Sequence, residues 1–295
     1  MDGIIIADKP EGFTSFDLIA KLRGVLGERR LGHGGTLDPM ATGVLPIFAG
    51  NATKAVDLLP DETKRYLAAV RLGIKTDTAD ITGETLETSF KSCTRDELER
   101  ALEGFKGKIT QIPPMYSALK VGGRRLYDLA REGKTVERAP REIEIYSLEL
   151  ITFDETAREF AIDVRCSKGT YIRALAEDIA ASLGCLAALC ALRRTASCGF
   201  AESQSHPLEE IITLAGEGRA GELLLSVESA FVSLQAVTLD DNLARLFSNG
   251  YAFEAARLPV PLGDGERVRV YDKAGFSGIG ERREGRFKKL KQFRS

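Results

Sequence analysis

The sequence predicts an α+β protein, with a large mixed unit of strands and helices followed by a small, mostly β unit. Three observations carry this. Apolar or alternating runs of strand length recur at 3–7, 44–48, 64–73, 142–153 and 160–166. Helix patterns with recognisable starts and stops are interspersed with them, at 14–26, 94–105 and 170–183. Beyond residue 216 the text turns to Gly, Glu and Ser around a short apolar run, and from Thr238 onward turn and alternation signals mark a separate module of about sixty residues.

Each element has a local reason. The first strand, 3–7, is broken by Asp8-Lys9-Pro10-Glu11-Gly12, after which Thr14 or Ser15 caps a helix. Ile19, Leu22 and Leu26 recur at helical spacing, and Gly27 supplies a stop. Residues 44–48 read as a buried strand and 64–73 as another, rich in β-favouring types, with Tyr66 at its entry. Thr94-Arg95-Asp96-Glu97 is a capping box, and Leu98, Leu102 and Phe105 share one face of the helix it opens. Residues 107–112 suggest a strand, whereas Pro113 and Pro114 exclude a regular central strand just beyond and predict a projecting loop. Alternation returns over 142–153, and 160–166 reads as a central strand leading through Ser167-Lys168-Gly169 into a helix from about Thr170 to Leu183. Arg173 falls in the first turn of that helix, where the helix dipole disfavours a cation, so a bonded anion is expected beside it. In the last unit Asp240 and Gly250 bracket a helix, Gly263 to Gly265 marks a turn, and 267–272 alternates as a strand.

A chain of 295 residues with 43% hydrophobic content can bury a sizeable core in one large domain or two unequal ones. It holds no run of eighteen apolar residues, and its start lacks the basic region and long apolar stretch of a signal peptide. No membrane association is therefore expected, and the cytoplasm is the expected compartment. Cys93, Cys166, Cys185, Cys190 and Cys198 form no Cys-x-x-Cys pair, and His33 and His206 are the only histidines, so neither zinc nor a disulfide framework is expected. The thiols read as reduced and mostly buried. A formal net charge of -2 does not announce a nucleic-acid binder, but distribution matters more than the sum. Arg282, Arg283, Arg286, Lys288, Lys289, Lys291 and Arg294 stand against Glu284 alone, with Phe287 and Phe293 interleaved. A second stretch holds Lys120, Arg124, Arg125, Arg131, Lys134, Arg138 and Arg141. Two cationic segments on an acidic chain suit a polyanion that touches selected faces; a basic tail is equally a solubilising end, and the tail's residues leave both readings open.

The stretch that organises the rest is Leu31-Gly32-His33-Gly34-Gly35-Thr36-Leu37-Asp38-Pro39-Met40-Ala41-Thr42-Gly43-Val44-Leu45-Pro46. Gly34 and Gly35 accept positive backbone angles and Pro39 biases Asp38 toward an extended conformation, so one carboxylate sits at a fixed turn. Such a turn can present a reactive group, and it can also be a plain turn. It contains neither Gly-x-x-x-x-Gly-Lys-Ser/Thr nor Gly-x-Gly-x-x-Gly, which argues against a nucleotide-phosphate cradle.

The stretch resembles the Gly-His-x-Gly-Thr-Leu-Asp-Pro-x-Ala-Thr-Gly-Val-Leu-Pro motif of the bacterial tRNA pseudouridine-55 synthases, the TruB-type family, with Asp38 at the family's nucleophile position. Five further segments match in the family's order. They are Lys9-Pro10-x-Gly12-x-Thr14-Ser15, the Thr76-Asp77-Thr78-x-Asp80-x-x-Gly83 loop, Gln111-x-Pro113-Pro114-x-Tyr116-Ser117-Ala118-x-Lys120, Ser167-x-Gly169-Thr170-Tyr171-Ile172-Arg173, and Leu192-Arg193-Arg194.

The resemblance implies a mixed, mainly antiparallel pseudouridine synthase sheet with flanking helices over 1–232, an RNA-binding insertion at about 111–141, and a PUA-like RNA-binding domain over 233–295. It implies that Asp38 is catalytic and that Arg173 pairs with it. A guanidinium beside a carboxylate favours the ionised form and can orient it bidentately, as a carboxylate nucleophile requires. By the same resemblance Tyr66 stacks on the target base, Leu192 lines its pocket, and Tyr171 contributes to binding. His33 is open between holding the flipped nucleotide and a structural role. RNA contacts are expected from Lys9, Lys120, Arg124, Arg125, Arg131, Arg286, Lys288 and Lys289.

The expected reaction is isomerisation of uridine 55 in the T-loop of tRNA, with the base flipped out of its stack. Neither cofactor nor metal is needed, and a monomer without a protein partner is expected. Whether Asp38 attacks C1', adds to C6 or promotes elimination is not readable from sequence. Two rivals remain. A non-catalytic RNA-binding or tRNA-folding protein on the same scaffold is opposed by the presence of Asp38, Tyr66 and Arg173 together. A hydrolase using Asp38 as a base is opposed by the lack of a partner carboxylate or histidine in a recognisable motif.

Overall fold

The structure, a computed structural model, is described for residues 1–293. Its main element is a ten-stranded mixed sheet. The principal path runs, in spatial order, through His206–Pro207, Gly3–Lys9, Thr42–Ala49, Ala187–Ser197, Lys64–Leu72, Glu159–Cys166, Arg141–Asp154 and Gly107–Gln111. Leu31–His33 pairs with Thr42–Ala49 at one side, and Phe200–Ala201 with Ala187–Ser197. Most neighbours are antiparallel, as expected. The parallel pairs are Gly3–Lys9 with His206–Pro207 and, at the centre, Ala187–Ser197 with Thr42–Ala49 through Arg193↔Thr42 and Arg194↔Gly43.

That central parallel seam joins two half-sheets with separate cores. Helices α1 (Ser15–Leu26), α2 (Arg95–Glu103), α3 (Leu126–Arg131), α4 (Ile172–Ser182), α5 (Leu208–Gly216) and α6 (Asp241–Ser248) follow in chain order. α1 and α5 cover the first half, burying Leu18, Ile19, Leu22, Leu208 and Ile211 against Ile5, Leu45 and Ile47. α2 and α4 cover the second, where Leu98, Leu102, Leu175 and Ile179 meet Val70, Ile145, Phe160 and Ile162. Fully burying one such side chain is worth about 1.5–3 kcal/mol, so each helix is held mainly by its apolar face.

The capping predicted from sequence is present. Thr14 accepts from the Asp17 amide, and Gly27 ends α1 at φ 61°. Thr94 and Glu97 form the reciprocal box that opens α2. The capping of α6 by Asp240 also matches its reading. α4 is shorter than expected, because residues before Ile172 are extended and Tyr171 occupies the cap.

The C-terminal sheet has five strands in the order Gln235–Thr238, Arg267–Asp272, Gly275–Arg283, Arg286–Gln292 and Phe253–Glu254. The protein is thus α+β with a small, mostly β, PUA-like C-terminal domain. Here the structure corrects the view of the last segment as a basic tail: Arg286–Gln292 is a paired strand, and Phe287 within it and Phe293 just beyond it are core residues, Phe287 among Val268 and Phe253 and Phe293 against Phe231. Arg294, counted with that segment, lies outside the described residues. The five thiols are free; Cys93, Cys166, Cys185 and Cys198 are buried and Cys190 is partly so.

Candidate active site

Asp38 sits at the end of the glycine turn, just before the strand that forms the central seam. The turn is bonded almost residue by residue. The Gly34 amide donates to the Pro46 carbonyl at 2.9 Å, and the Ser197 hydroxyl donates to the Gly34 carbonyl at 3.3 Å. The Leu37 amide donates to Ser15 Oγ at 2.8 Å, and the Ala41 amide closes on the Asp38 carbonyl at 3.1 Å. The Pro39 carbonyl accepts from the Gly12 amide at 2.9 Å. Gly43 fixes the exit: its φ is 101°, and a Cβ there would lie 2.2 Å from the Arg194 carbonyl oxygen, so only glycine allows the seam to close.

Two buried cations brace the turn from below. Lys9, expected to touch RNA, has no exposed surface; its ammonium donates to the carbonyls of Pro10 at 2.9 Å, Phe13 at 2.6 Å and Pro39 at 3.2 Å. All three donors are spent inside the protein, so Lys9 is a strut under Asp38-Pro39 and not a phosphate contact. Burial pushes it down to about 8, partly offset by the attraction of Asp38. Arg194, also fully buried, donates to the carbonyls of Val44 at 2.8 Å, Thr36 at 3.3 Å and Gly35 at 3.1 Å.

The anion expected beside Arg173 from its place in α4 is Asp38. Its Nη2 donates to Asp38 Oδ1 at 3.1 Å, and Nε lies 2.9 Å from Oδ2 without good hydrogen-bond geometry. The pairing is therefore side-on, with one well-formed bond and one close ionic contact. The same guanidinium donates to the Thr78 carbonyl at 2.7 Å and the Tyr116 carbonyl at 2.8 Å, and stands 3.7 Å from Asp80 Oδ2. Arg173 thus ties the Thr76–Gly83 loop and the root of the insertion to the carboxylate. Its side chain is 4% exposed against 35% for Asp38, so the arginine is buried while the carboxylate stays open to a ligand.

Tyr66 and Leu192 share one buried cluster with Leu37, Met40 and Ala41 of the Asp38 turn and Ile172 of α4. Cross-strand register places Tyr66 opposite Arg194 and Leu192 opposite Ala68. Burial pushes the Tyr66 phenol up to about 12, opposed by the nearby Arg194 guanidinium. Tyr171 lies at the cap of α4, its amide and carbonyl exchanging hydrogen bonds with the Gln111 side chain at 2.9 and 3.0 Å. His33 is half-buried with Nδ1 lacking a partner, and burial followed by Arg194 lowers its pKa, which favours the neutral ring. Lys64, one strand step before Tyr66 on the same face, is lowered by burial and by Arg194. Among the described residues no group of three or more His, Cys, Asp or Glu side chains could hold a metal ion.

The insertion presents Lys120, Arg124, Arg125 and Arg131 to solvent. Tyr127 lies between two of them, with Arg125 and Arg131 at 5.6 and 5.5 Å from its ring centre, and Arg124 pairs with Glu132. On the C-terminal sheet Arg286 and Lys288 are exposed; Lys289 is half-buried, donating to the Ser248 carbonyl at 2.6 Å. Arg194, Lys64 and Ser15 were not singled out from sequence as site residues. One signal for Arg194 was available: in a strand, Leu192 and Arg194 share a face, so a buried Leu192 places that arginine inward. Arg193 points the other way, to Asp8 at 2.7 Å and Glu202.

Known proteins resemble this chain over most of its length. Residues 23–172 match the TruB family pseudouridylate synthase (N terminal domain), and residues 173–232 match the tRNA pseudouridylate synthase B C-terminal domain. The chain is 40% identical over 292 residues to a tRNA pseudouridine synthase B of Clostridium acetobutylicum, covering 99% of both chains. It is 44% identical over 285 residues to one of Stutzerimonas stutzeri, covering 95% of this chain and 92% of that one. Its fold resembles a chain of a Cbf5-Nop10-Gar1 complex, with a TM-score of 0.78 at 24% identity over 99% of this chain and 85% of the other. No described helix is long and apolar enough to cross a membrane. The chain belongs to the TruB family of pseudouridylate synthases.

Proposed function

We propose that this protein isomerises uridine to pseudouridine at position 55 in the T-loop of tRNA, using Asp38 as the nucleophile. The observation that carries this is the pairing of Asp38 with buried Arg173, on a turn whose Leu37, Met40 and Ala41 share one cluster with Tyr66 and Leu192. A carboxylate held over an aromatic and aliphatic floor suits a flat, uncharged base beside a sugar. The target base is flipped from its stack, at a cost of about a few kcal/mol, and rests against Tyr66 and Leu192. Asp38 acts on the nucleotide, the C1'–N1 bond breaks, uracil turns within the pocket, C5 bonds to C1' and releases Asp38, the C5 proton leaves to solvent, and N1 takes up a proton. Tyr171 and His33 help hold the flipped nucleotide.

The T-arm is read by shape through phosphate contacts from Lys120, Arg124, Arg125 and Arg131 on the 111–141 insertion and from Arg286, Lys288 and Lys289 on the 233–295 domain. The enzyme works as a monomer in the cytoplasm without a protein partner. The test is to incubate the protein with an unmodified tRNA transcript and map pseudouridine along it. Modification confined to position 55 supports the reading. Modification elsewhere, or tight binding without any, overturns it.

A further inference from the structure

Arg194 is a fully buried cation whose hydrogen bonds run to three carbonyls and to no carboxylate. Burying a charge without a counter-ion is expensive, so its arrangement calls for a reason beyond packing. Those bonds are concentrated in one place. Two of the three carbonyls belong to Gly35 and Thr36, on the entry side of the turn that carries Asp38, and the third belongs to Val44, on the strand that leaves it. Lys9 holds the Pro39 side, whereas Arg194 grips the entry. It also stands across the sheet from Tyr66, directly opposite in register, and its charge opposes the upward push that burial gives the phenol. A planar guanidinium has five donors in a fixed fork, enough to hold the turn and still offer one to a phenol oxygen.

We propose that Arg194 is a positioning residue for the isomerisation: one rigid guanidinium sets the Asp38 turn and the Tyr66 hydroxyl relative to each other, so that carboxylate and ring keep a fixed spacing across the base pocket. With the phenol oxygen accepting from Arg194, the Tyr66 O–H is aimed at the bound nucleotide. Arg194 itself does not touch substrate. This rests on the reading that Asp38 and Tyr66 flank the flipped base.

The test is a double-mutant cycle of Arg194→Lys and Arg194→Gln with Tyr66→Phe, reading single-turnover rate, KM, RNA affinity and thermal midpoint. Arg194→Lys keeps the charge but cannot span both the turn and the phenol. It is expected to lower kcat at least about tenfold, the scale of a sub-ångström misplacement, with KM and RNA affinity within about threefold. Arg194→Gln is expected to lower kcat further. In the Tyr66→Phe background the loss from Arg194→Lys shrinks to less than half on a logarithmic scale, because the hydroxyl it orients is gone. Parental kcat in a folded Arg194→Lys variant would overturn the proposal. So would a loss confined to KM, a loss that only tracks the unfolded fraction, or losses that multiply fully with Tyr66→Phe. A parent inactive on the transcript would instead sink the functional reading itself, so the two failures are distinguishable.

Discussion

Arg173→Lys separates the charge of Arg173 from its geometry. The guanidinium contacts Asp38 through Nη2 and Nε while donating to the Thr78 and Tyr116 carbonyls from Nη1 and Nη2. A lysine ammonium is a single point with three donors and cannot reach these diverging acceptors together. If it follows Asp38, two carbonyls lose their buried donor, at roughly 1–3 kcal/mol each. The destabilisation is then about 2–6 kcal/mol, and at about 2–4 °C per kcal/mol for a chain of comparable size the melting midpoint falls by at least about 4 °C. Catalysis suffers separately: a carboxylate released from its side-on partner loses its fixed angle, and displacement by about an ångström costs on the order of a hundredfold. Single-turnover isomerisation measured below the melting transition, with RNA affinity measured in parallel, tests both. We expect kcat down by about two orders of magnitude with affinity nearly unchanged. A rate within threefold of the parent, or a loss seen only as weaker RNA binding, would refute the claim that Arg173 acts by orienting Asp38.

Lys9 gives a pH prediction. Its folded pKa of about 8 lies below the ordinary 10.5, so the folded state sheds this proton first. Its contribution to stability is therefore greatest above 10.5 and is lost as pH falls through 8, a span worth about 3 kcal/mol. Activity should move the opposite way, because a neutral amine donates to two of three carbonyls and no longer attracts Asp38. We expect kcat to fall above pH 8 and Lys9→Met to erase that limb of the profile; an identical limb in Lys9→Met would assign it elsewhere. On the C-terminal sheet, Arg286→Glu with Lys288→Glu should weaken tRNA binding and shallow its salt dependence by about one to two in log–log slope, leaving kcat at saturation unchanged. An unaltered slope would remove that strand from the interface.

Most of the architecture was legible because its determinants are local. Caps at Thr14, Thr94 and Asp240, the stop at Gly27, and the prolines after Gln111 each act within a few residues, and each lies where expected. The strand Gly275–Arg283 was hidden because Gly278 and Gly280 blur its alternation. Their reason is tertiary: a Cβ on Gly280 would sit 2.2 Å from the Phe287 ring, and one on Gly278 2.1 Å from the Lys291 carbonyl oxygen. Without that strand its basic partner, Arg286–Gln292, read as a free tail. At the site, Asp38 and Arg173 were legible through their motifs and through the oddity of a cation at a helix start. The bracing cations were not, since nothing in Lys9 or Arg194 as letters says that their charges are satisfied by carbonyls of a turn 30 to 159 residues away. Lys9 was misjudged for that reason: a lysine near a polyanion site reads as a contact until its burial is known.

The central claim is that Asp38 carries the chemistry while the surrounding scaffold binds RNA. It is tested most directly by tritium release from C5-labelled uridine in an unmodified tRNA transcript, comparing the parent with Asp38→Ala at matched RNA occupancy. The parent is expected to release tritium and Asp38→Ala none above background, although that variant still binds the transcript. Release by Asp38→Ala at a comparable rate would contradict the central claim.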